Sequence, residues 1–67
     1  MSKISLKAAR VNAKFSQGEA AEFVGVAVST LRNWENGTTC PDWIQFMKLC
    51  QLYGVSCDSI FFEKKIS

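Results

Sequence analysis

Ser29, Arg32, Asn33 and Asn36 are spaced so that one helix would carry all four on a single side. At about 100° per residue they fall within an arc of roughly 100°. An arginine fork matches the O6 and N7 acceptors of guanine. An asparagine amide matches the N6 and N7 pair of adenine, and a serine hydroxyl suits either base. The chemistry these groups offer is hydrogen-bonded reading of base edges, with no bond made or broken. Leu31 and Trp34 fall on the opposite side and give the same helix a core face. A polar outer face alone is ordinary for a surface helix, so the preceding residues decide what it is for.

Those residues build a positioning device. Ser16 followed by Glu19 is the S-x-x-E pattern of a capping box and starts a helix at Gln17. That helix runs to about Phe23. Gly25 stands where the chain must stop and reverse, and glycine enters positive φ without a Cβ penalty. A second helix runs from Val28 to Asn36 and stops at Gly37. Two short helices joined by a glycine-containing turn make a helix-turn-helix over residues 17–36.

Other elements must hold this pair. A first helix is expected from about Ser5 to Lys14, capped by Ser5, with Leu6, Ala9 and Ala13 forming an apolar stripe. Lys3, Lys7, Arg10 and Lys14 share another face if that helix starts early enough. They could meet phosphates or simply be solvated. Phe15 plugs the corner, and Ala20, Ala21 and Val24 face inward. Pro41 ends a loop, Asp42 caps a helix from about Trp43 to Tyr53, and Gly54 closes it. Trp43, Phe46, Met47, Leu49, Cys50 and Tyr53 form its broad core face, with Ile44 and Leu52 on the other side. Ser56 can cap a short fifth helix from about Cys57 to Phe61, with Val55 and Ile60 reaching the core. No strand is expected.

Composition narrows the class further. Sixty-seven residues suit one small domain, read here as residues 1–67. The net charge of +2 is too mild to announce nucleic acid by itself. The start lacks the apolar core of a secretion signal, and no run approaches the ~20 apolar residues of a membrane span. A cytoplasmic protein is expected. Three cysteines without histidine make a poor zinc site, so no metal or other cofactor is expected and the thiols read as reduced and structural. No serine or cysteine has an evident base partner, which argues against an enzyme and its small-molecule substrate.

The run SQGEAAEFVGVAVSTLRNWENG, followed by TTCPD and later LYGVS and IF, resembles the lambda-repressor-like, or XRE-type, helix-turn-helix regulators. The resemblance covers nearly the whole chain. It implies an all-α, compact five-helix DNA-binding domain of a bacterial or phage transcriptional regulator. In that family the helix matching Val28 to Asn36 enters the major groove. Positions matching Gln17, Val28, Ser29, Arg32 and Asn33 contact bases or backbone, and those matching Thr30, Asn36 and Thr39 lie near phosphates. Two departures stand out. Ala27 occupies the usual Ser or Thr cap of the second motif helix, a cap worth about 1 kcal/mol. The Thr38–Cys40 loop lacks the basic residue often found there.

The expected function is a sequence-specific regulator, of the phage- or prophage-repressor type, binding double-stranded DNA as a homodimer on a two-fold operator. The alternative is an antitoxin or protein-interaction module of the same fold. Phe61 and Phe62 cannot both turn inward from one helical turn and are expected in the dimer interface, with Ile44 and Leu52 as further contributors. Glu35 lies in the last turn of its helix, where the macrodipole disfavours an anion. An ion pair with Arg10, at the border of the first helix's apolar stripe, is expected, as at the matching positions of the family.

Overall fold

Ser5 begins the first helix: its hydroxyl accepts from the Ala8 N–H at 3.1 Å. The computed structural model describes residues 3–61. Its order is β1 (Ile4–Ser5), α1 (Leu6–Asn12), α2 (Gln17–Val24), α3 (Val28–Asn36), α4 (Trp43–Tyr53), a 3₁₀ turn (Cys57–Ser59) and β2 (Ile60–Phe61). The mostly helical architecture agrees with the sequence. The count does not: four α-helices are present among the described residues.

The expected fifth helix is replaced by the 3₁₀ turn and β2. β2 runs parallel to β1, pairing Ile4 with Ile60 and Ser5 with Phe61. Extended backbone suits the β-branched and aromatic pair Ile60–Phe61. It also buries Ile60 while Phe61 stays partly exposed. Phe62 lies outside the described residues.

The first helix is shorter than expected, with two consequences. Lys3 precedes β1, and Lys14 lies beyond the end of α1. Lys14 takes φ +66°, the left-handed conformation usually filled by glycine. The Lys14 N–H donates to the Val11 carbonyl at 3.0 Å and the Phe15 N–H to the Arg10 carbonyl at 3.2 Å, closing the helix in a Schellman arrangement. Arg10 is buried. The expected basic stripe of Lys3, Lys7, Arg10 and Lys14 therefore does not exist as a helix face.

Leu31 and Leu49 sit at the centre of the core, surrounded by Leu6, Ala9, Ala20, Ala21, Val24, Trp34, Phe46, Cys50, Tyr53 and Ile60. Phe15 packs against this cluster and lies 6.3 Å, ring to ring, from Tyr53. Val55 and Leu52 pack at its edge. Two residues assigned to the core face of α4 are not in it: Trp43 is 64% exposed and Met47 47%. α4 is apolar over most of its circumference, so periodicity alone gave no means of telling which side the other helices cover.

Candidate nucleic-acid interface

The Ser16–Glu19 capping box is formed in full. The Glu19 N–H donates to Ser16 Oγ at 3.0 Å, and the Ser16 N–H donates to Glu19 Oε1 at 2.9 Å. α2 then ends at Gly25 with φ +89°. Gly25 and Val26 both donate to the Ala21 carbonyl, at 2.8 and 3.0 Å, which folds the turn back against α2. α3 starts after Ala27 without a side-chain cap, as that alanine implied.

Leu31 and Trp34 anchor α3 to the core. That anchoring fixes the rotation of the helix. Ser29, Arg32, Asn33 and Asn36 consequently stand exposed together on the outer side, with Val28 exposed at the start of the helix. Thr30 is half-buried beside them. At the far end, the Thr38 and Thr39 N–H groups donate to the Asn33 carbonyl at 2.9 and 3.4 Å. This ties the following loop to α3 and leaves Thr39 exposed next to it.

A buried carboxylate sets the angle between the motif and the rest of the molecule. Arg10 Nε donates to Glu35 Oε2 at 2.7 Å and Nη2 to Glu35 Oε1 at 3.4 Å. The expected Arg10–Glu35 pair is thus present, with the Glu35 side chain only 1% exposed. Arg10 Nη1 also donates to the Phe15 carbonyl at 2.8 Å. One guanidinium therefore joins α1, the corner before α2, and α3. The sequence did not disclose the next partner: Gln17 Nε2 donates to Glu35 Oε1 at 3.0 Å. The resemblance implies a DNA contact for Gln17, and this bond turns its amide nitrogen toward α3. The residues were visible, but their meeting depends on how α2 crosses α3.

Burial has a further effect nearby. The Tyr53 hydroxyl is enclosed without a hydrogen-bond partner among the described residues. Burial, assisted by the negative charge of Glu35, pushes its ionisation up to about 12. Burial likewise pushes the Cys50 thiol up to about 12, with help from a hydrogen bond with Cys57. Cys40 is exposed, and all three cysteines are free. Among the described residues no helix is long and apolar enough to cross a membrane.

A capped helix, a left-handed glycine turn and a second helix locked by Leu31, Trp34 and Glu35 define the class of protein. The helix-turn-helix family model matches residues 6–60, and the chain belongs to that family, of the lambda-repressor-like (XRE) type. It is 37% identical over 62 residues to the HTH-type transcriptional regulator ImmR of Bacillus subtilis (strain 168). The alignment covers 92% of this chain and 49% of that protein, so the chain spans about half the length of the curated relative it matches. No solved structure gives a significant match.

Proposed function

We propose that this chain is a single-domain, sequence-specific DNA-binding regulator of the phage- or prophage-repressor type. It acts in the cytoplasm as a homodimer on a two-fold operator. α3 enters the major groove. Arg32 and Asn33 read base edges, Ser29 adds a hydrogen bond, and Val28 touches a thymine methyl. Gln17, Thr30, Asn36 and Thr39 lie toward the backbone and fix the register.

The observation that carries this reading is the rotation of α3. Its apolar residues are spent on the core, and its forked and amide side chains are left together on the outside. The match to a transcriptional regulator over 92% of the chain supports it. Because α3 is short, one protomer reads few base pairs, and two half-sites about 34 Å apart are expected.

The test compares a duplex selected by the protein from a randomised pool with random DNA, at one fixed salt concentration. Asn33→Ala should lose about 1–3 kcal/mol on the selected duplex and little on random DNA. Arg32→Ala should follow unless its guanidinium serves a phosphate. If both substitutions lower the two affinities equally, these residues only position the protein.

A further inference from the structure

The way α4 ends brings two thiols together. Gly54 takes φ +70° and closes the helix, and the Val55 N–H donates back to the Cys50 carbonyl at 3.0 Å. That bond reverses the chain over the last turn of α4. Ser56 then opens the 3₁₀ turn, its hydroxyl accepting from the Asp58 N–H at 3.3 Å, and the turn packs against α4. The reversal sets the Cys57 side chain beside that of Cys50, and the two thiols are hydrogen-bonded. Only residues 51–56 lie between them in sequence.

The two sulfurs differ in access. Cys50 belongs to the core and is 3% exposed. Cys57 is half-buried at the edge of that core, and it lines an open groove with Ile44, Met47, Lys48 and Gln51. A small solute in the groove can reach Cys57, whereas Cys50 lies behind it. Two thiols that served packing alone would gain nothing from having one of them open to solvent. A reachable thiol backed by a second one is the arrangement of an attacked and a resolving cysteine. Cys40, exposed in the loop before Pro41, stands apart from the pair.

We propose that Cys50 and Cys57 are a redox site that closes to a disulfide when a peroxide enters the groove. The Cys57 sulfur, as thiolate, displaces hydroxide from hydrogen peroxide and becomes a sulfenic acid. The Cys50 sulfur then attacks the Cys57 sulfur. The S–O bond breaks, the S–S bond forms, and the Cys50 proton leaves with the hydroxide as water. Two thiols and one hydrogen peroxide give one disulfide and two waters, with both sulfurs oxidised and both peroxide oxygens reduced. Burial holds the Cys50 thiol protonated at neutral pH, so it does not compete for the peroxide. The disulfide fastens the 3₁₀ turn, and with it the approach to β2, to the last turn of α4. All three cysteines are free in the resting protein. That state suits a bond made only under oxidation, as sensing disulfides in reducing compartments are.

The test treats the folded Cys40→Ser chain with hydrogen peroxide at neutral pH, alkylates the remaining thiols and weighs the intact protein. The expected product is a monomer lighter by two hydrogens that takes up no alkylating group and regains its mass with dithiothreitol. It should unfold cooperatively, with an unfolding constant at least about tenfold smaller than that of the reduced chain, because the bond restricts the unfolded state. Adding Cys50→Ala should leave Cys57 as a sulfenic acid that dimedone traps. Adding Cys57→Ala instead should leave Cys50 reduced over the same time. Cys57 gaining oxygen while Cys50 remains open to alkylation overturns the proposal, since the thiols are then out of bonding reach. So does a chain that keeps both thiols, or one that forms disulfides only between molecules. An oxidised monomer that is less stable than the reduced one, or has lost cooperative unfolding, also overturns it, because the bond would then belong to an opened chain and not to the native pair.

Discussion

At Glu35 three donors from two residues meet one buried carboxylate. Removing one partner of such a pair leaves the other charged and enclosed, which costs about 3–5 kcal/mol. A domain of this size has a total stability of that same order. Arg10→Met or Glu35→Leu alone should therefore leave the chain largely unfolded in urea titrations. The double substitution should recover much of the loss, because two apolar side chains can replace a buried pair. Recovery should be incomplete, since Gln17 and the Phe15 carbonyl each lose a partner. Tyr53 and Cys50 make a second residue-level prediction. Their protons are held more tightly folded than unfolded, with ionisation raised from 10.0 and 9.0 to about 12 in each case. The unfolded chain loses those protons first. Stability should be intact below about pH 9 and fall toward pH 12, by at most ~1.4 kcal/mol per pH unit for each group. Tyr53→Phe should flatten the fall. It should cost little at neutral pH, because the hydroxyl it deletes has no partner among the described residues. Urea midpoints across pH 7 to 11 for the two proteins check both points; identical slopes would mean that Tyr53 titrates alike in both states.

Helix ends, more than helix middles, distinguish the elements. α2 and α4 begin with complete capping boxes, at Ser16 and Asp42. α3 begins with Ala27, which contributes no side-chain bond, and α1 ends through Lys14 in a conformation costly for any residue with a Cβ. Ala27→Ser should add about 1 kcal/mol, and Lys14→Gly should add about 1 kcal/mol by removing that penalty. Both would appear as higher thermal midpoints and should combine additively, because they act on different helices. The same ends explain what could be read in advance. Ser16, Gly25, Gly37, Asp42 and Gly54 each act within a few residues of themselves, and α3 and α4 have the bounds read from the sequence. The β1–β2 pairing could not be read this way, since two-residue strands leave no alternation and their partners are remote in sequence. The rotation of α3 follows from Leu31 and Trp34, whereas that of α4 differs from its apolar pattern at Trp43 and Met47, because apolar character alone does not say what covers it. For the candidate interface, residue types and spacing were visible, but the bond from Gln17 to Glu35 needed the helix crossing.

Across the whole molecule the charge is mild, +2, and Arg10 is committed internally. Lys3, Lys7 and Lys14 are exposed but do not form a helix face. Each neutralised phosphate adds about 0.9 to the slope of log K against log salt. DNA binding should therefore depend only modestly on salt, with a slope shallower than about −8 for a dimer. A steeper slope in a salt titration would show that the three lysines reach the backbone after all. The pairing of Ile4 with Ile60 also has a meaning in time. A chain is made from its first residue onward, and contacts distant in sequence carry a loop-closure cost that local ones avoid. On the ribosome the motif helices can meet each other early, yet β1 has nothing to pair with until the end of the domain has emerged. Within this domain the strand made first is thus the last to be locked, and the domain cannot close until Ile60 has left the ribosome.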